Sequence, residues 1–313
     1  MNPEVYSEWL RRAGHQVFRT ASSYWHDQGM RVFKAFPYHW RIQPGKEELR
    51  ELMLRHRFIG LRYSMPPEVE IGTPSYHAVY NRADYDFESL SAWARKNVRR
   101  GLRECRVEPI SFERYVRDGW EMRIDTLARQ DRHLKETQEQ WQQKYSAAAD
   151  LPGFEVWAAQ VGSRLAATLV IFRMDDWFYM VYQQCHRDFL RAHAPNALSF
   201  AVTQDLIRRP GVRGVFYGLQ SLDAPESVDE FKFRMGYEAQ PVKQRICFHP
   251  AITPFVNRAT HAVVKSASWL SPGQYSLAKA EGMFRLFLAE RQTCEIAPSP
   301  VATVPTGENH GKL

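Results

Sequence analysis

Residues 95–106, "RKNVRRGLRECR", place six cations and one carboxylate in a short run. Cations at that density attract phosphates or acidic partners. The spacing is helical: Leu90, Ala94, Val98, Leu102 and Cys105 make one apolar stripe, and Arg95, Arg99, Arg103 and Arg106 a separate basic face. Glu104 stands four residues after Arg100 and can pair with it. The expected element is a helix that docks by one side and presents positive charge on the other. A solvated surface helix has the same pattern, and the stretch alone does not separate the two.

Other chemistries have less support. The eleven histidines include no HExxH or paired-ligand spacing, and Cys105, Cys185, Cys247 and Cys294 form no CxxC pair. No metal is expected. Widely spaced single cysteines fit buried free thiols in a reduced cytoplasm. There is no GxSxG elbow, P-loop or GxGxxG fingerprint.

The elements that must carry any site alternate between strand and helix. In the first part, residues 17–25, 31–42, 58–65 and 75–81 read as strands, with a helix over 46–57. After the basic helix, residues 112–134 read as one long helix and 136–149 as a second, polar one. The clearest region follows. "FEVWAAQV" (154–161), "RLAATLVIFRM" (164–174) and "WFYMVYQQC" (177–185) are aromatic and β-branched runs joined at Gly162-Ser163 and Asp175-Asp176, which predicts an antiparallel meander. A helix is expected over 197–209, a buried strand over 213–221, a short helix over 227–238 stopped at Gly236, and a last strand over 240–250. That order is β-β-β-α-β-α-β.

Bulk properties bound the class. The chain has 313 residues, 44% hydrophobic and 25% charged, enough for a large core and two domains. A mean hydropathy of −0.49 and strand-length apolar runs predict no transmembrane helix, and the first residues lack the apolar core of a secretory signal. The net charge of +7 biases the protein towards anionic partners. Residues 293–313, rich in Pro, Thr and Gly, are expected to be a disordered tail.

The order of elements, with "FKFRMGYE" (231–238) closing the short helix, resembles the GNAT acyltransferase fold. The strand, the link "NRADYDFESL" and the run "WARKNVRRGLREC" resemble its FemAB-like branch, built from two GNAT-like halves that transfer acyl or aminoacyl groups to amines. The resemblance implies an α/β fold with a mixed, largely antiparallel sheet flanked by helices. It implies a reduced N-terminal half over 1–85, a transferase domain over 86–250 and a helical extension over 251–292. That extension could cover a sheet edge, form a dimer contact or touch a membrane surface.

Two departures from acetyl-CoA-using GNATs point to the donor. The expected pyrophosphate loop is "RAHAPNALS" (191–199), which has no glycine and carries Pro195, a residue without an N–H. Lys232 stands where many GNATs have a tyrosine that protonates the leaving thiolate, and Phe231-Lys232 resembles the "FK" pair of FemAB-like enzymes. The resemblance then implies these roles. Lys232 places positive charge near the oxyanion or a terminal phosphate. Asp223, Glu226 and Glu230 bind the acceptor amine or take its proton, although an acid there can equally cap the short helix. Tyr217 donates to the leaving group, or is simply a core tyrosine. Lys96, Arg99 and Arg100, with Phe231, contact substrate at the junction of the halves. Arg191, His193 and Asn196 contact the donor.

The expected activity is transfer of an aminoacyl group from aminoacyl-tRNA to an amine or hydroxyl of a small metabolite or cell-wall precursor. No tightly bound cofactor is expected. Acyl-CoA-dependent N-acyltransfer is the second reading, and a non-catalytic nucleic-acid- or partner-binding module the third.

Overall fold

A computed structural model describes residues 2–29, 31–130, 136–221, 226–271 and 274–296. Eleven strands form one sheet: β1 Val17–Arg19, β2 Tyr24–Asp27, β3 Val32–Phe36, β4 Gly60–Met65, β5 Thr73–Tyr80, β6 Arg106–Ile110, β7 Phe154–Val161, β8 Arg164–Met174, β9 Trp177–Cys185, β10 Gly214–Leu219 and β11 Glu238–Phe248. Their spatial order is β1-β2-β3-β4-β11-β5-β10-β9-β8-β7-β6. The helices are α1 Pro3–Arg12, α2 Lys46–His56, α3 Ala92–Glu104, α4 Phe112–Asp118, α5 Trp120–Arg129, α6 Gln138–Ser146, α7 Ala194–Ile207, α8 Glu226–Arg234, α9 Arg258–Leu270 and α10 Tyr275–Ile296. The fold is thus α/β with a largely antiparallel sheet.

The meander over β7, β8 and β9 forms where the alternating runs predict it. The last strand, β11, is the seam of the sheet. It pairs antiparallel with β4 over Lys243–Phe248 and with β5 over Glu238–Gln244. β5 also pairs with β10, so the segment before residue 85 is stitched into the same sheet as the segment after it. α1 ties the start of the chain to the meander as well. Tyr6 and Trp9 pack with Phe154, Phe172 and Tyr179 of the meander, and Trp9 Nε1 donates to the Lys144 carbonyl at 2.8 Å. α1 begins at Asn2, whose side chain accepts from the Glu4 N–H, followed by Pro3 in the first turn.

The expected long helix is two helices. Gly119 ends α4 and starts α5, and a Cβ there would lie 2.6 Å from the Tyr115 carbonyl oxygen and 3.0 Å from the Trp141 ring. Close packing of Tyr115 against Trp141, both fully buried, fixes the break. The apolar stripe of α3 is as expected at Leu90, Ala94, Val98 and Cys105, and departs from expectation at Leu102. Ala94, Asn97, Val98 and Gly101 are buried, and Leu102 is exposed.

Gly101 lets α3 and α7 approach closely: a Cβ would lie 2.7 Å from the His193 carbonyl oxygen and 2.9 Å from Ala197 Cβ. In an exposed helix, Gly→Ala stabilises by up to about 1 kcal/mol. Here Gly101→Ala is expected to destabilise by about 1–3 kcal/mol, because overpacking reverses the sign. Urea denaturation of the two proteins measures this, and equal or higher stability of the alanine variant would refute the close-approach argument.

α7 begins three residues earlier than the sequence reading, at Ala194, with Pro195 tolerated in the first turn. In the extension, α9 and α10 are the expected helices. Met283 of α10 is buried against Val32 and Ile246, and Arg285 and Glu290 carry its polar flank, with Glu290 3.4 Å from Arg245. α10 therefore covers the seam. Residues 297–313 lie outside the described residues. Among the described residues, no helix is long and apolar enough to cross a membrane.

Candidate active site

β9 and β10 run parallel and pair only where Trp177–Tyr179 meet Gly214–Phe216. Beyond that point they part, and the opening is a cavity of ≈ 710 Å³. Two bulges frame it. The β8–β9 register slips between Val170 and Ile171, leaving Val181 as an extra residue in β9. The β10–β5 register slips between Phe216 and Gly218, leaving Tyr217 as an extra residue in β10. A bulge bends its strand and re-aims side chains. Here the bulged residues themselves, Val181 and Tyr217, line the cavity.

Lys232 of α8 reaches this cavity and is only 6% exposed. Its ammonium donates to Asp229 Oδ1 at 2.6 Å, and the Tyr76 hydroxyl donates to Asp229 Oδ2 at 2.5 Å. It also lies 5.6 Å from the centroid of the Tyr217 ring. The Tyr217 hydroxyl donates to Gln183 Oε1 at 2.7 Å, and burial raises its pKa, so the phenol keeps its proton. Gln183 is in turn bonded to Ser199 Oγ at 3.1 Å. Gln184, almost fully buried on the cavity wall, donates to the Tyr115 hydroxyl and the Gly119 carbonyl at 3.3 Å each, while its Oε1 has no partner.

The other cations of the wall come from far apart in the chain. Lys34 is on β3, Arg62 on β4, Arg129 at the end of α5 and Lys279 on α10. No Asp or Glu is among the described lining residues. Arg62 Nε donates to Gln244 Oε1 at 2.9 Å, and Lys279 Nζ to the Gln28 carbonyl at 2.8 Å. Lys34 Nζ sits 4.0 Å from the Tyr38 ring centroid. Burial, then the charges of Arg62 and Lys279, hold its pKa well below the lysine range. A cavity walled in this way suits an anion.

The candidate residues divide by position. Lys232, Tyr217, Phe231 and Asn196 meet on the cavity wall. Asn196 is buried and donates to Met235 Sδ at 3.7 Å. Glu230 is exposed and pairs with Arg234. Asp223 and the side chain of Glu226 lie outside the described residues. Lys96, Arg99 and Arg100 are exposed on α3, which packs on α7, and none of the three lines the cavity. The cavity is lined instead by Lys34, Arg62 and Lys279. Arg99 lies over the Phe87 ring at 5.2 Å, and Arg100 donates to Glu104 at 2.9 Å. Arg191 is exposed and off the wall. His193, the N-cap of α7, is off the wall too, and burial followed by the charges of Arg100 and Lys96 lowers its pKa.

The N-terminus of α7 has few free donors. Pro195 has no N–H, and the Asn196 and Ala197 N–H groups both donate to the His193 carbonyl, at 3.0 and 3.1 Å. A backbone anion cradle of the kind that helix N-termini form with glycine-rich turns is not assembled here. The described residues contain no group of three or more His, Cys, Asp or Glu placed to hold a metal ion.

Among solved structures, the chain is similar to three that share this architecture. One is the C-terminal domain of a protein from Agrobacterium fabrum assigned as a lysylphosphatidylglycerol synthetase (TM-score 0.53, 11% identity, 77% of this chain and 87% of that one). A second is FemX (TM-score 0.53, 10% identity, 80% and 92%). A third is a conserved protein of unknown function from Bacteroides thetaiotaomicron (TM-score 0.50, 11% identity, 77% and 88%). No protein-family model and no curated protein sequence matches the chain. The likeness is one of fold: these structures share the mixed α/β architecture of this chain, the fold that its sequence resemblance to FemAB-like GNAT proteins implies.

Proposed function

We propose that the protein is an acyltransferase that moves an aminoacyl group from aminoacyl-tRNA to an amine or hydroxyl of an anionic acceptor, a small metabolite or a cell-wall precursor. The observation that carries this reading is the buried Lys232 on the cavity where β9 and β10 part, opposite cations supplied by the N-terminal half and α10. The likeness in fold to FemX and to the C-terminal domain of a protein assigned as a lysylphosphatidylglycerol synthetase supports it.

In this reading a neutral amine attacks the ester carbonyl of the donor. The new C–N bond forms as the C–O bond to the tRNA ribose breaks. Lys232, hydrogen-bonded to Asp229, faces the oxyanion, together with backbone N–H groups of the parted strands. The Tyr217 hydroxyl, protonated before attack, gives its proton to the departing ribose oxygen and regains one from solvent. The proton lost by the amine goes to a carboxylate of the segment after β10, Asp223 or Glu226. Lys34, Arg62 and Lys279 hold the acceptor's anionic group. Lys96, Arg99 and Arg100 meet tRNA phosphates outside the cavity.

Acyl-CoA is the second donor, and one observation favours it. Lys96 and Arg100 of α3 stand close enough to His193, at the start of α7, to lower its pKa, so side chains can replace a backbone phosphate cradle. Fluorescence anisotropy of labelled aminoacyl-tRNA, with protein titrated at two salt concentrations and acetyl-CoA as competitor, separates the donors. We expect tight binding that weakens steeply with salt and resists CoA. Displacement by CoA at low concentration, or no tRNA binding, would replace the tRNA donor with the thioester.

A further inference from the structure

Large apolar side chains left in water are unevenly distributed on this protein. Among the described residues, Trp269, Leu270, Val263 and Phe255 are 67–80% exposed, and the next, Leu54 and Trp93, only 47%. The four lie on α9 or just before it. The helix stands outside the core: none of its residues is buried, and it rests on α10, with His261 Nε2 3.0 Å from Glu281 Oε1.

The outer face of α9 has a definite pattern. Arg258, Ala262, Lys265 and Trp269 follow one another at helical intervals and form one stripe. Ala259, Val263, Ser266 and Leu270 form the stripe beside it, and all eight are exposed. Small residues fill the centre, large apolar ones mark the C-terminal end, and the two cations stand along one edge. Residues 251–280 contain no Asp or Glu at all.

We infer that this face docks on the surface of an anionic phospholipid bilayer. Charge decides the occupant. Two copies of a face with cations and no carboxylate repel each other, whereas a layer of lipid phosphates complements it. Tryptophan favours the boundary between headgroups and acyl chains, and Arg and Lys stems lie along apolar surface with their charges in water. At thirteen residues α9 is too short to span a bilayer, so it lies in the interface plane. The surface stands independently of the donor and acceptor proposed above. Its neighbour α10 supplies Lys279 to the cavity, so one helix touches both the docking face and the site.

The test is co-sedimentation of the full chain with phosphatidylcholine vesicles, with and without phosphatidylglycerol. Binding is expected to be about tenfold or more tighter with phosphatidylglycerol, from two cations near the surface. The double variant Val263→Asp/Trp269→Asp should lose binding to both vesicles. Arg258→Glu/Lys265→Glu should lose only the preference for phosphatidylglycerol, and Leu54→Asp, on α2, should bind like the unaltered protein. Thermal melting of each variant verifies folding. The inference is overturned if the protein binds neither vesicle, or if the α9 variants bind as the parent does. It is also overturned if sedimentation equilibrium shows a dimer that Val263→Asp/Trp269→Asp dissolves, for then a second copy covers the face. Failure of tRNA binding leaves these measurements untouched, so the two readings fail separately.

Discussion

Lys232→Met is expected to lower the turnover of acyl transfer by on the order of 10²–10³-fold, the usual cost of losing one preorganised group that faces an oxyanion. The single variant is not a clean test. Lys232 is 6% exposed and its ammonium is 2.6 Å from Asp229, so removing it leaves a nearly buried carboxylate with, among the described residues, the Tyr76 hydroxyl beside it. Breaking a buried pair from one side costs about 3–5 kcal/mol. Lost activity in Lys232→Met could then reflect a damaged fold. The double variant Lys232→Met/Asp229→Asn removes both charges and keeps both shapes. We expect it to recover most of the stability in urea denaturation while single-turnover transfer stays slow. Recovery of activity together with stability would show that Lys232 only props α8 in place. Retained tRNA binding in both variants would separate the chemical step from donor recognition.

That pair was half legible in the sequence. Lys232 is conspicuous only through the family resemblance, as half of the Phe231-Lys232 pair ahead of Gly236; the structure adds that Gly236, at φ +87° against the Ser89 carbonyl, has no room for a side chain. Asp229, three residues earlier, is an ordinary helix acid until its burial is seen. The meander was legible for a simple physical reason: its strands are adjacent in sequence, and local turns and alternation determine them. α1 also carried a readable signal in Asn2, Pro3 and Glu4, with Tyr6, Trp9 and Leu10 at helical spacing behind it, although the strands near it drew the reading instead.

The cavity was not legible. Its opening depends on Val181 and Tyr217 being extra residues against their neighbours, and registry between strands is a property of the pair, not of either sequence. Its cations sit at positions 34, 62, 129, 232 and 279, and only the order of strands brings them together. The dense basic run was the louder signal, yet α3 faces outward from α7 and places Lys96, Arg99 and Arg100 off the cavity wall. High local charge marks a surface, whereas a site collects a few charges from many segments.

Lys34 shows what such a site costs the fold. Among the described residues its ammonium has no hydrogen-bond or carboxylate partner, and Arg62 and Lys279 repel it. Lys34→Met is therefore expected to stabilise the protein by about 1 kcal/mol, as relief of active-site strain commonly does. The sign with pH follows from the lowered pKa. Below the folded value, the native state must hold a charged lysine that the unfolded chain carries freely, and the penalty is complete. As pH rises from that value towards the ordinary lysine value of about 10.4, the penalty is released. The gap in melting temperature between the variant and its parent should thus be widest at neutral or lower pH and narrow as pH climbs through this window. The same charge should count in the opposite direction once an anion is bound. Inorganic pyrophosphate, used as a probe of the cation trio, is expected to bind the variant at least about tenfold more weakly, the loss of one charge-assisted hydrogen bond. An anion among Lys34, Arg62 and Lys279 also raises the Lys34 pKa, so binding must take up protons. Isothermal titration in two buffers of different ionisation enthalpy reads that uptake directly, and Lys34→Met should abolish it. A variant that is less stable than its parent and binds pyrophosphate equally well would mean that Lys34 is a structural lysine stacked on Tyr38, and that the anion is held elsewhere.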